Sequence, residues 1–144
     1  MSAGSSHDDA GWRRMNRPVI REFRERAGQV SRRYPVILLT TTGARTGRAH
    51  VTPLNFSIDG DRIVVIASKG GSSTHPDWYR NLVAHPEVTI EHGGEEFRAR
   101  AVEVDEPERT RLYDQQAKLM PFFNGYRQRV KARRIPVIAF ERLD

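Results

Sequence analysis

A lone lysine stands beside a glycine pair in Ala67-Ser68-Lys69-Gly70-Gly71, and His75-Pro76-Asp77-Trp78-Tyr79-Arg80-Asn81-Leu82 follows within a few residues. Glycines lack a Cβ, so backbone N–H groups there can approach an anion closely. Lysine adds a point charge, and the start of the following helix adds partial positive charge. These residue types suit a phosphate or carboxylate ligand. The string by itself reads equally as a surface turn, because short glycine motifs recur in ordinary loops.

Two other stretches have chemical potential. Leu38-Leu39-Thr40-Thr41-Thr42-Gly43-Ala44-Arg45-Thr46-Gly47-Arg48 lies upstream, and Arg134-Ile135-Pro136-Val137-Ile138 lies near the C-terminus. Arg45 and Thr46 sit between Gly43 and Gly47, where a guanidinium can hold an oxyanion through two N–H groups or serve as an ordinary turn arginine. Trp78 and Asn81 are three residues apart on a helix and share a face, although Trp78 also suits a core position. His7, His75, His85 and His92 are not spaced as a metal site, and no metal is expected. The chain has no cysteine, which excludes disulfides, thiolate catalysis and cysteine-based zinc.

These groups need elements to hold them. The 144 residues fit one domain, and a chain of this size buries roughly 68–70% of its unfolded surface. Residues 1–15 read as an unstructured polar tail and 16–144 as one folded unit. Asn16-Arg17-Pro18 predicts the start of an amphipathic helix that runs to Gly28, with Val19, Ile20, Phe23 and Ala27 on one face. Its other face carries Arg17, Arg21, Arg24 and Arg26 with Glu22 and Glu25 between them. That face is either solvated or directed at lipid or ligand.

Strands are predicted over Val36–Thr42, His50–Ile58, Arg62–Ala67, Val88–Ile90, Phe97–Ala101 and Ile135–Phe140, with hairpins at Asp59-Gly60 and Gly93-Gly94. Helices are predicted over Asp77–Ala84 and 107–119, the second broken by Pro121-Phe122-Phe123-Asn124-Gly125-Tyr126. Six strands joined by hairpins or short helices argue for an antiparallel barrel with helices outside. No GxGxxG opens a helix after the first strand, so a Rossmann nicotinamide site is not supported.

Hydrophobic residues make up 38% and charged residues 29%, which is globular composition, and no apolar run approaches the ~20 residues of a membrane span. The first ten residues lack the pattern of a signal peptide, so a cytoplasmic protein is the expectation. The net charge of +6 suits polyanions in general: an acidic cofactor, an anionic membrane surface or nucleic acid. Aromatics are dispersed, not interleaved with arginine, which argues against a nucleic-acid partner. The run Arg127, Arg129, Lys131, Arg133, Arg134 reads as a solvated basic face or one apposed to the inner membrane surface.

In their order and spacing, the Thr-Thr-Thr-Gly and Ala-Ser-Lys-Gly-Gly…His-Pro-Asp-Trp-Tyr blocks resemble the deazaflavin (coenzyme F420)-dependent nitroreductase family, over about Val19 to Leu143. The resemblance implies a six-stranded split β-barrel of the FMN-binding type with outer helices. It also implies coenzyme F420, an 8-hydroxy-5-deazaflavin with a phosphate and an oligoglutamate tail, whose reduced form is a hydride donor.

By the same resemblance, Arg45, Thr46, Ala67, Ser68, Lys69, Gly70 and Gly71 face the cofactor. Val51, Thr52, Pro53 and Leu54 run beneath its ring, and Asp77, Trp78, Tyr79, Arg80 and Asn81 border it. His50 stands where relatives commonly have arginine, so the anion clamp is weaker near neutral pH. Tyr126 is the expected proton donor to the substrate, assisted by Ser68. Met120 and Phe123 occupy substrate-side positions that are tyrosine in some nitro-reducing relatives, so nitroreduction is not assumed.

The implied activity is F420H2-dependent two-electron reduction of a quinone, an activated C=C bond or a nitro-type acceptor. An FMN-dependent split-barrel reductase is the enzymatic alternative, and a non-catalytic cofactor carrier or basic nucleic-acid module is the alternative of another class.

Overall fold

The computed structural model describes residues 3–30, 34–130 and 133–143. Helix α1 (Ala3–Glu25) precedes strands β1 (Val36–Thr42), β2 (Ala49–Asn55), β3 (Ser57–Asp59) and β4 (Arg62–Ile66). Helix α2 (Asp77–Ala84), β5 (Glu87–His92), β6 (Glu95–Glu103), α3 (Glu108–Leu119), α4 (Phe122–Arg129) and β7 (Val137–Arg142) follow.

All strands pair antiparallel, in the order β2-β1-β5-β6-β7-β4-β3. Consecutive strands β2 and β3 therefore stand at opposite ends of the sheet, with only Phe56 between them. A flat sheet cannot satisfy that connection, so the sheet curls into a half-barrel whose two ends meet at Phe56. This accounts for seven strands in place of the six expected. The stretch 50–58 is not one strand: residues up to Asn55 pair with β1, whereas Ser57–Asp59 pair with β4.

The alternation of side chains sorts the core into layers. Ile63 and Val65 of β4 and Ile138 and Phe140 of β7 pack inside the curl with Ile37, Leu39, Ile90, Trp78 and Leu82. Val64, Ile66, Val137 and Ala139, on the opposite faces, pack under α3 and α4 with Leu112, Tyr113 and Phe123. Val36 and Leu38 meet Val19 and Phe23 of α1. Each fully buried Leu, Ile or Phe contributes about 1.5–3 kcal/mol, so β4 and β7, buried on both faces, anchor the fold.

The hairpins at Gly60 and Gly93, α2 and α3 lie where the sequence predicts them. Two elements differ. Helix α1 begins upstream of the expected start at Asn16 and runs through Pro18, which lacks the N–H that would bond the carbonyl of Arg14 and crowds that carbonyl with its ring. Residues 122–129 form α4 instead of an irregular break, and α4 is tied to α3 by the Tyr113 hydroxyl, which donates to Phe123 O at 2.7 Å.

Candidate functional site

A cavity of about 920 Å³ opens where the end of β1, the outer edge of β2, the loop after β4, α2 and α4 converge. Its walls can be built up loop by loop.

The Gly43–Gly47 loop is a tight turn. Gly43 N–H donates to Arg48 O at 2.7 Å, Gly47 N–H to Gly43 O at 3.0 Å, and Arg48 N–H to Thr46 Oγ1 at 3.2 Å. A Cβ on Gly43 would lie 2.6 Å from Thr46 Oγ1 and 2.9 Å from His50 Nε2, so a side chain there would displace both groups from the turn. Arg45 is exposed at its tip and makes no hydrogen bond or ion pair among the described residues. Asn81 of α2 braces the turn from behind: its Oδ1 accepts Ala44 N–H at 3.0 Å, and its Nδ2 donates to Thr41 Oγ1 at 3.1 Å.

The second loop turns sharply after β4. Lys69, Gly70 and Gly71 have φ of 49°, 63° and 84°, a left-handed run that glycine tolerates without penalty. Gly71 N–H donates to Ser68 O at 3.0 Å, and Lys69 Nζ donates to Thr74 Oγ1 at 3.4 Å. Arg133, from the segment before β7, reaches under this loop and donates to the carbonyls of Ala67, Ser68 and Ser72 and to His75 Nδ1. Burial together with the Arg133 and Arg80 charges holds the His75 imidazole below its usual pKa.

Strand β2 ends the sheet and, among the described residues, pairs only with β1, leaving its outer edge without a strand partner there. His50 through Asn55 line the cavity consecutively, although side chains alternate faces along a strand. That is possible only if the strand's edge, with its free N–H and C=O groups, faces the cavity. One wall is aromatic: Phe122 lies 5.5 Å from Tyr34 and 5.6 Å from Tyr126, and Phe123 lies 5.5 Å from Tyr126. The cavity is thus lined by the cations Arg45, Lys69 and Arg80, by β2, and by the aromatic side chains of α4, which packs against the Lys69–Gly71 turn.

Of the residues singled out from sequence, the cavity gathers Arg45, Thr46, His50, Val51, Thr52, Pro53 and Leu54 on one side. On the other it gathers Ser68, Lys69, Gly70, Asp77, Trp78, Arg80, Asn81, Phe123 and Tyr126. Four do not line it. Tyr79 points to the opposite side of α2, where its hydroxyl donates to Glu103 Oε1 at 2.5 Å; burial first, and then Glu103, push its pKa up to about 12. Ala67 is fully buried in the core, and Met120 is buried beneath α4. Gly71 packs against Arg129 and the backbone of Tyr126 in α4.

Sequence reasoning missed Tyr34, Asn16 and Phe122 among the lining residues, and it missed Arg133 behind the loop. Phe122 was signalled by its neighbour Phe123. Arg133 stood in a basic run that looked like surface, yet Arg127 pairs with Asp114 at 2.6 Å, Arg129 lies over the Tyr126 ring and Arg133 turns inward. Lys131 lies outside the described residues.

Residues 12–142 match the family described as F420H(2)-dependent quinone reductase. The chain belongs to that family. The match bears out the F420-dependent reductase that the motifs suggest. An F420H(2)-dependent quinone reductase of Mycobacterium tuberculosis (strain H37Rv) is 42% identical over 81 residues, 55% of this chain and 54% of that one. The chain thus spans about half the length of that relative. A second M. tuberculosis protein bearing the same family name is 34% identical over 104 residues, 72% of this chain and 87% of its own. Among solved structures, an F420-H2 dependent reductase (FDR-A) superimposes with a TM-score of 0.69 at 32% identity, covering 74% of this chain and 94% of that one. This family member thus has a curled antiparallel half-barrel with its cavity at the edge strand. No helix among its described residues is long and apolar enough to cross a membrane.

Proposed function

We propose that this chain is a reductase that binds coenzyme F420 in the cavity and reduces a quinone or a similarly electrophilic acceptor. The observation that carries the reading is the mixed lining of one cavity: the cations Arg45, Lys69 and Arg80, the successive residues His50 to Asn55 of β2, and the aromatic side chains of Tyr34, Phe122, Phe123 and Tyr126. The fit to a tailed deazaflavin is chemical. Arg45 and Lys69 suit the phosphate and acidic tail, with His50 beside them. The β2 edge offers backbone donors and acceptors to the polar rim of a ring system, and Trp78, Pro53 and Leu54 offer apolar walls. In this reading the half-barrel is a split barrel of the kind that also houses FMN.

When bound, the reduced cofactor supplies a hydride, so the exchange is one of two electrons. The protein's part is to orient and to handle the proton. The aromatic wall, formed by Tyr34, Phe122 and Tyr126, excludes water and accepts a flat acceptor ring. Tyr126 carries a hydroxyl that can donate to the oxygen that gains charge, and Ser68 Oγ, without a partner among the described residues, can hold the same oxygen. Met120 is buried beneath α4 and makes no direct wall for the acceptor in this reading.

Fluorescence titration with F420 and FMN tests the reading. Selective binding of F420, with turnover of a quinone by its reduced form, is expected; equal or tighter FMN binding overturns it. Peripheral contact with anionic lipid is a separate proposal that rests on exposed Arg17 and Arg21 of α1, since Arg24 is engaged by Glu91 at 3.0 Å. Salt-sensitive co-sedimentation with anionic vesicles supports it, and failure to sediment at low salt removes it.

A further inference from the structure

The guanidinium of Arg133 is half-buried behind the glycine loop and meets it from both sides of the turn. Nη2 donates to Ser68 O at 2.8 Å, Nη1 to Ala67 O at 3.1 Å and Nε to Ser72 O at 3.1 Å. Nη1 also lies 3.1 Å from His75 Nδ1. Every one of these acceptors is uncharged when His75 is neutral, and no carboxylate pairs with Arg133 among the described residues. We propose that Arg133 is the positioning residue of the Ser68–Gly71 loop and that His75 makes this positioning sensitive to protons. Its bearing on cofactor affinity rests on the function proposed above.

Three successive left-handed residues at 69–71 are not a conformation that local contacts favour, least of all at Lys69. Something outside the turn must hold it, and Arg133 bridges the carbonyls on its two sides, Ser68 and Ser72. A positive charge with no acidic partner then lies directly behind the loop whose front lines the cavity. It adds to the attraction of Lys69 for an anion, in a partly desolvated place where charge is poorly screened.

The fourth contact has a protonation requirement. A guanidinium only donates, so His75 Nδ1 must present a lone pair and the ring must be neutral with its proton on Nε2. Protonation removes that lone pair and sets two cations in contact. The groups facing His75 are Arg133, Arg80 of α2, Glu103 of β6, and the Tyr79 ring at 4.7 Å, whose hydroxyl is bound to Glu103. Burial and the two arginines favour the neutral ring and outweigh Glu103, so the clamp is intact at neutral pH and loses its fourth contact on acidification.

Hydrogen exchange at Gly70, Gly71 and Ser72 in the cofactor-free protein, corrected for intrinsic exchange and followed from about pH 8 to about pH 5, reads the clamp directly. Protection is expected to fall roughly tenfold on acidification in the wild type. In Arg133→Gln it should be lost across the range, with F420 affinity reduced about tenfold or more at neutral pH. Arg133→Lys keeps the charge but not the fork and should restore part of both; it also serves if the glutamine variant fails to fold. His75→Gln keeps an acceptor that does not titrate and should abolish the pH dependence of protection. Wild-type protection in a folded Arg133→Gln, or pH dependence persisting in His75→Gln, overturns the proposal. Failure of the wild type to bind F420 would instead overturn the proposed function, because the exchange measurement needs no cofactor.

Discussion

Asn81 accepts the backbone N–H of Ala44 at 3.0 Å across 37 residues of sequence, and its amide also donates to Thr41 Oγ1. One buried side chain thereby joins α2, which follows the glycine loop, to the turn that carries Arg45. Asn81→Leu leaves the Ala44 N–H and the Thr41 hydroxyl without that partner, at roughly 1–3 kcal/mol for each group left unsatisfied. Denaturant unfolding should show the loss, and F420 titration should show weaker binding. Unaltered affinity in the folded variant would mean that the Arg45 turn is not part of the binding surface.

Arg45→Ala and Lys69→Ala should each weaken F420 binding by roughly 1.5–3 kcal/mol if each makes a charged hydrogen bond to the ligand. The effect should shrink at high salt for Arg45, which is exposed, since screening acts most on surface charge. Titration of a short-tailed and a long-tailed cofactor would separate contacts with the phosphate from contacts with the tail. Equal affinities in variants and wild type would locate the anion elsewhere.

Tyr126→Phe should leave cofactor affinity intact while lowering turnover with a quinone, by the roughly 10²–10⁴-fold associated with loss of a general acid. Its ring packs against Phe122 and Phe123 and under the Arg129 guanidinium, contacts that phenylalanine retains. Single-turnover hydride transfer is the decisive measurement. An unchanged rate makes Tyr126 a wall of the cavity and solvent the proton source.

Tyr79 supplies a pH prediction remote from the cavity. Its pKa in the folded protein is about 12, above the ordinary value of 10.0, mainly through burial and next through its bond to Glu103. A raised folded pKa means that the unfolded chain loses its proton first. The stabilisation is therefore complete below pH 10 and declines as pH rises from 10 towards 12. Tyr79→Phe should remove this part of the alkaline loss in thermal melts and leave F420 affinity unchanged. A full alkaline slope in the variant would assign the loss to other groups.

Part of the site was legible locally: the two glycine turns with Arg45 and Lys69 and the helix that begins at Asp77 are short-range features. Sixteen of the residues named for the site line the cavity, and most of them came from the family resemblance, not from local chemistry. Tyr79 failed because it was carried along with its helical neighbours, whereas successive helical residues point about 100° apart. Arg133 failed because charge density along a sequence does not say which charges turn inward. Tyr34 had no local signal, since its place at the cavity depends on where the chain leaves α1 relative to α4.

The sequence by itself determined the hairpins, the doubly buried β4, the helices after the glycine loop and after β6, and the two turns rich in glycine and cations. Hydrophobic period and turn chemistry act over a few residues, and a linear pattern records them. Tertiary structure alone decided that 50–58 is two strands at opposite ends of one sheet, that their junction at Phe56 curls that sheet, and that the free edge of β2 faces a cavity. It also decided that Arg133 lies beneath a loop some 65 residues earlier in the chain. Such contacts depend on which strands pair and on how the sheet closes, and that choice is made by the summed burial of both core layers, not by any one segment.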